Sequence, residues 1–215
     1  DHSYSFVDPR ARIVSKTVPN AHLEGVNVAA WINDSSFLTC SDDTTLKLWD
    51  RRMAAELATL SGHRGWVKNI DPLNERFVLS ASFDGTVRLW DLQNLNASGV
   101  VVLKKKGLLQ ARISPGGSDL GFSLLTGEVA LIRGFDPMNG GVVPEKSCLE
   151  MLSSNAAARS GGIVTYLGFN KDGTLLMSRR SYPRAMGRSA TLSLFSTSIN
   201  APRRRILITS NTPAR

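Results

Sequence analysis

An all-β fold built from repeated antiparallel units is predicted by three features of this chain. Trp49-Asp50 recurs as Trp90-Asp91, 41 residues on. His22 and Asp43 recur at the same interval as His63 and Asp84. Between these points short apolar runs alternate with turns rich in Asp, Asn, Gly and Ser, which is the pattern of short strands. A fixed period near 40 residues with four such strands per repeat describes a β-propeller blade.

Taken in order, residues 1–20 lack periodicity, contain Pro9 and Pro19, and read as an approach segment able to supply one edge strand. Blade one is expected over about 21–60. Val26 to Trp31 is its first strand, Phe37 to Cys40 its second, Leu46 to Trp49 its third and Met53 to Leu60 its outer strand. Blade two, about 61–100, copies this plan. Its Asp84-Gly85 pair is a strong tight-hairpin signal.

Two further blades are degenerate. In the third, about 101–135, Ile132 stands where the Trp would be. Residues 136–160 are rich in Gly, Ser, Ala, Asn and Pro and read as an inserted loop. The fourth, about 160–200, has Phe195 near the Trp place, and Ser181 to Arg188 reads as a basic loop. Four recognisable blades (two regular, two degenerate, in a partial propeller over 21–210) suggest a part of a larger seven-bladed ring. An open arc leaves unpaired faces, and a chain beginning at Asp1 fits that expectation.

The repeated polar residues have a local logic. A His from the loop before a blade can meet the Asp of the second hairpin, and a hydroxyl on the second strand can join them to the Trp indole. Such groups are buried between blades and must satisfy one another. The expected sets are His22, Asp43 and Trp49 in blade one, and His63, Asp84 and Trp90 in blade two. Ser80 or Ser82 completes the latter set, with Ser82 as the expected member.

Composition narrows the function. At 42% hydrophobic and 20% charged residues, the chain can build a core. No apolar run is long enough for a helical membrane span, and no signal peptide opens the sequence. Two cysteines, Cys40 and Cys148, give no disulfide framework, and Cys40 reads as a buried inert thiol. An intracellular place, cytoplasm and/or nucleus, is therefore expected. Asn33-Asp34-Ser35 and Asn96-Ala97-Ser98 then match the glycosylation pattern by chance. The net charge of +8 is concentrated in Lys104–Lys106, Arg179–Arg180 and Arg203–Arg205. No aromatic residues interleave these runs, which argues against nucleic acid as the partner. No nucleophile, phosphate-loop or metal-ligand pattern is present, so neither enzymatic activity nor a cofactor is expected.

The period and the Trp-Asp ending resemble those of WD40 repeats. Phe37 to Arg52 reads FLTCSDDTTLKLWDRR. This stretch is similar to the box by which WD40 proteins of the cullin-4-associated-factor family dock on the damage-specific DNA-binding adaptor of cullin-4 ubiquitin ligases. The resemblance covers residues 20–93 closely and 100–135 loosely. It implies a non-catalytic substrate receptor that recruits an unidentified protein for ubiquitination. It places the docking Arg at Arg52, supported by Asp50 and Trp49. Blade two departs from the box, with Gln93 in the Arg position, so one complete box is expected. The alternative is a WD40 scaffold holding proteins together outside any ligase. Trp66, at the start of a strand, is a candidate for a second partner surface.

Overall fold

A computed structural model describes residues 2–95, 99–138, 149–152, 162–182, 191–196 and 206–209. Asn96–Ser98, Cys148, residues 183–190 and Arg203–Arg205 lie outside the described residues. The described residues form no helix and eighteen strands.

The strands make one two-stranded and four four-stranded antiparallel sheets. The approach segment is a complete hairpin rather than a single edge strand, with β1 (Tyr4–Asp8) and β2 (Ile13–Val18) paired. Blade one contains β3 (Val26–Trp31), β4 (Ser36–Ser41), β5 (Leu46–Asp50) and β6 (Ala55–Leu60) in sequential order. Blade two contains β7 (Val67–Pro72), β8 (Phe77–Ser82), β9 (Thr86–Asp91) and β10 (Val100–Lys104). Its outer strand therefore runs past the expected boundary at residue 100.

Blade three has β11 (Leu108–Ile113), β12 (Asp119–Leu124), β13 (Val129–Arg133) and β14 (Leu149–Met151). Its outer strand β14 falls inside the stretch expected to be a loop. Three residues flanked by Gly- and Ala-rich sequence carry too little periodicity to be recognised. Blade four has β15 (Ile163–Phe169), β16 (Leu175–Ser181), β17 (Thr191–Ser196) and β18 (Ile206–Thr209). It extends beyond the expected end near 200, because Ile206–Thr209 pairs with β17 as the outer strand.

The blades pack face to face, and the core lies between them. Leu38, Cys40, Leu46, Val67, Ile70 and Trp90 fill the space between blades one and two. Leu79, Leu89, Leu108, Leu120 and Phe122 fill the next space, and Val129, Leu131, Val164, Leu167 and Leu176 the third. The hairpin is seated on the other face of blade one by rings. Tyr4 lies 5.1 Å from both Phe37 and Trp49, and Phe6 lies 5.6 Å from Phe37.

The degenerate blades keep the register of the regular ones. Phe37 faces Trp49, Val78 faces Trp90, and Leu120 faces Ile132. A buried Ile therefore holds the Trp position in blade three, with no indole N–H to donate.

Candidate docking site and the polar clusters beneath it

The polar clusters follow directly from strand register. In blade one the Trp49 indole N–H donates to Thr39 Oγ1 at 2.8 Å. Thr39 Oγ1 lies 2.7 Å from His22 Nε2, and His22 Nδ1 lies 2.8 Å from Asp43 Oδ2. Blade two repeats this. Trp90 donates to Ser80 Oγ at 2.7 Å, Ser80 Oγ lies 2.7 Å from His63 Nε2, and His63 Nδ1 lies 2.9 Å from Asp84 Oδ2.

An indole nitrogen can only donate, so the hydroxyl oxygen accepts and its own proton is free for the imidazole. A neutral imidazole with its proton on Nδ1 then completes the chain to the carboxylate. Burial agrees with that state. It lowers the pKa of both His22 and His63 by more than the neighbouring aspartates raise them. For the aspartates, burial pushes upward. Hydrogen bonds from Thr45, Leu23 and His22 outweigh it at Asp43, and those from Thr86, Arg64 and His63 hold Asp84 at about 2.

One assignment changes and one residue is added. Ser80, rather than Ser82, completes the cluster of blade two. Ser80 sits two residues along β8 from Val78, the residue facing Trp90, which places its hydroxyl under the indole nitrogen. Ser82 is two residues farther, at the hairpin mouth. There it donates to Gly65 O at 2.8 Å and accepts from Asp84 N–H at 3.1 Å. Thr39, which sequence reading did not single out, does the work of Ser80 in blade one. The 41-residue interval from Thr39 to Ser80 was the available signal.

At the opposite end of blade one, β5 and β6 are joined by a tight turn. Asp50 Oδ1 accepts the backbone N–H groups of Arg52 at 2.7 Å and Met53 at 2.9 Å. The bond from Met53 is the main reason the Asp50 carboxyl lies below its ordinary pKa, with Arg52 adding to the effect. Arg51 is directed back to the blade, donating to Asp34 O at 3.2 Å and lying 6.0 Å from the Trp31 ring. Arg52 is exposed, and among the described residues its guanidinium makes no hydrogen bond or salt bridge. Trp49 is only 4% exposed, packed under Tyr4 and Phe37. It therefore supports the turn from below and presents no contact surface of its own.

Blade two ends differently. Asp91 caps Gln93 N–H at 3.0 Å but is also gripped by Arg76 through Nε at 3.0 Å and Nη2 at 2.7 Å.

The remaining candidate, Trp66, lies at the other end of its blade from that turn. It is 51% exposed and tilted against Phe83 at 5.8 Å. Lys68 Nζ lies over both rings, at 4.8 Å and 5.5 Å, and reaches Asp42 Oδ1 at 2.6 Å and Asn27 Oδ1 at 3.2 Å. Sequence reading found the Trp but not its companions: Lys68 lies two residues on along β7, and Phe83, Asp42 and Asn27 are brought in from other parts of the two blades.

A cavity of about 320 Å³ lies between the inner strands of blades two, three and four. Its charged groups are already engaged. Arg112 bonds Asp71 Oδ1 and Ile70 O, each at 3.0 Å, and Leu167 O at 3.2 Å, tying three blades together. Among the described residues no group of His, Cys, Asp or Glu could hold a metal ion, and no helix is long and apolar enough to cross a membrane.

A family model for the WD domain, G-beta repeat, matches residues 14–50 and 54–91. DDB1- and CUL4-associated factor 10 of Homo sapiens is 34% identical over 134 residues, covering 60% of this chain and 24% of that protein. The same factor of Danio rerio is 31% identical over 167 residues, covering 72% of this chain and 33% of that protein. A DDB1- and CUL4-associated factor 11 homolog of Caenorhabditis elegans is 37% identical over 103 residues, covering 44% of this chain and 18% of that protein. The chain thus spans a third or less of the length of these relatives. Its repeats and this likeness make it a WD40-repeat protein, a partial β-propeller similar over part of its length to DDB1- and CUL4-associated factor 10.

Proposed function

We propose that this chain belongs to a substrate receptor of a cullin-4 ubiquitin ligase. Its role there is non-catalytic: it joins the ligase through the damage-specific DNA-binding adaptor and presents another surface to the protein to be modified. The observation that carries this reading is the turn after β5. Its backbone is locked by Asp50, and it holds an exposed Arg52 at the rim of the blade. An Arg in that place suits an interface. Its planar fork makes several directed hydrogen bonds and keeps its charge when water is removed. The turn needs no rearrangement to present it, so little ordering cost opposes binding.

The second surface in this reading is the Trp66 patch. A propeller blade is about one strand long from end to end, on the order of 15–20 Å. The adaptor and the recruited protein would thus meet opposite ends of the same blades without competing. An exposed Trp beside Phe83 and Lys68 provides rigid apolar area and a cation, a combination common among residues that dominate binding. The reading places the protein inside the cell, in the cytoplasm and/or nucleus.

The test is capture of the purified adaptor by the full-length protein, wild type against Arg52→Ala, after matching thermal melts. Loss of most binding in the variant supports the reading. A folded wild type that does not bind the adaptor refutes it and favours a WD40 scaffold acting outside any ligase.

A further inference from the structure

At the end of the molecule opposite the Arg52 turn, backbone bonding fixes which surface residues correspond from blade to blade. The loop before each inner strand meets the second hairpin of its blade through one hydrogen bond. Asp42 N–H donates to Gly25 O at 3.0 Å in blade one, Phe83 N–H to Trp66 O at 2.9 Å in blade two, and Leu125 N–H to Gly107 O at 2.7 Å in blade three. Gly25, Trp66 and Gly107 are therefore equivalent, as are Asp42, Phe83 and Leu125. Two places before the first set stand Leu23, Arg64 and Lys105 in turn.

Blade one shows that the fold needs neither an aromatic nor a cation at these places, since it keeps the same bond with Gly25, Asp42 and Leu23. Blades two and three instead set an exposed apolar side chain beside an exposed cation. Phe83 is 38% and Leu125 45% exposed, and Arg64, Lys105 and Lys106 are all exposed. Trp66 and Phe83 touch, so the apolar area of blade two is contiguous, as at an interaction surface. Lys105 N–H donates to Gly85 O at 2.7 Å, which joins the hairpin of blade two to the loop that leads into blade three.

The cations of this strip are uncommitted and its acids are not. Among the described residues the side chains of Arg64, Lys105 and Lys106 make no hydrogen bond or salt bridge. Asp42 is held by Lys68, Asp43 by His22 and Asp84 by His63, and Glu128 accepts from the Thr126 hydroxyl at 2.8 Å. Exposed Glu24 belongs to the loop before blade one. An anionic partner thus meets three cations without breaking an existing pair. Packed sheets lie about 10 Å apart and an extended chain advances about 3.3 Å per residue, so Phe83 and Leu125 suit apolar side chains about three residues apart. Single-stranded nucleic acid fits less well, because successive bases need separate rings to stack on. Trp66 and Phe83 lean on each other and share Lys68, and Leu125 offers no ring.

We propose that this end of blades two and three recognises an acidic, extended segment of the recruited protein. Two apolar side chains of that segment seat on the Trp66–Phe83 pair and on Leu125, and carboxylates beside them meet Arg64, Lys105 and Lys106. This rests on the receptor reading given above and names the class of protein segment it recruits.

Peptide selection on the purified full-length protein tests this. The probe is a phage-displayed library of random linear peptides, and the most enriched peptide is then labelled and its Kd read by fluorescence anisotropy. The variants are Trp66→Ala, Leu125→Ala, Lys105→Glu combined with Lys106→Glu, and Lys171→Glu, each first matched to wild type by thermal melt. Lys171 is an exposed charge in the β15–β16 turn, at the other end of the molecule. The enriched peptides should carry Asp or Glu beside apolar side chains about three residues apart. Kd should weaken roughly tenfold in Trp66→Ala and in the double Lys variant, and roughly threefold in Leu125→Ala, with Lys171→Glu within about twofold of wild type. An empty selection, enriched sequences without an acidic excess, or an unchanged Kd in any of the first three variants overturns the proposal. So does a thymidine oligonucleotide that displaces the peptide and binds more tightly, which would assign the surface to nucleic acid. Adaptor capture by the same wild-type protein separates the two readings. Adaptor binding beside a failed peptide test leaves the receptor reading standing without this surface. The expected peptide result without adaptor binding removes the receptor reading and leaves an acidic-partner surface on a scaffold.

Discussion

Replacing Ser80 by Ala tests the polar chain beneath blade two. Ser80 Oγ accepts from the Trp90 indole and lies 2.7 Å from His63 Nε2, and all three residues are buried. Removing the hydroxyl leaves two buried polar groups without their partner. Each unmet group costs about 1–3 kcal/mol, so Ser80→Ala should lose about 2–6 kcal/mol. Ser82→Ala loses the bonds to Gly65 O and Asp84 N–H. Both of those residues are partly open to water, so a loss of about 1 kcal/mol is expected. Ser80→Thr keeps the hydroxyl, and Thr39 already fills this place in blade one. It should therefore recover most of the stability. Urea unfolding followed by tryptophan fluorescence measures all three, with the midpoint converted through an unchanged m value. Equal losses in Ser80→Ala and Ser82→Ala would refute the assignment of Ser80 as the linking hydroxyl.

Four other outcomes follow from the same geometry. Thr44 has φ 73° at the hairpin position where blade two uses Gly85 at φ 82°, so Thr44→Gly should raise stability by about 0.5–1 kcal/mol, read as a higher urea midpoint. Because burial holds His22 and His63 below the ordinary imidazole value of 6.5, the unfolded chain takes up protons first, and stability should be complete above about pH 6.5 and fall below it. Asp84, held at about 2 against its ordinary 3.8, should extend that loss below about pH 4; a series of urea midpoints flat from pH 7 to 4 would contradict the histidine prediction, and one flat from pH 4 to 2 the Asp84 prediction. Burial pushes the Cys40 thiol up to about 12, so in a Cys148→Ser variant a thiol reagent at pH 8 should label the chain only after denaturation.

How legible each part was depended on which residue carried the repeat. The Trp-Asp pairs and the His and Asp residues at the same interval were enough to place blades one and two, because buried polar groups constrain residue type as well as hydropathy. Blade three was read through Ile132 from spacing alone, and the register of β12 with β13 puts it in the Trp position. The outer strands were read least well. β10 and β18 lie past the expected ends of their blades, and β14 is three residues long. An outer strand packs on few neighbours, so its sequence is weakly constrained. Ser80 and Ser82 lie on one strand two residues apart and share a face, so residue type alone does not choose between them. Only the pairing of Val78 with Trp90 separates them.

The hairpin at the start of the chain was missed for a related reason. Trp is the most recognisable residue of the repeat, and in the hairpin its place is held by Val7. What it shares with the β5–β6 hairpin is the Asp that caps the turn and the Arg two residues later, a pattern too short to stand out in sequence. In three dimensions these become the stronger evidence, because a cap, a bulge and a left-handed residue must all coincide for two turns to agree. The Trp secures the turn from within the blade, whereas the Asp shapes the turn itself. A hairpin can therefore lose the Trp, pack through Tyr4 and Phe6 instead, and still present its Arg in the same way.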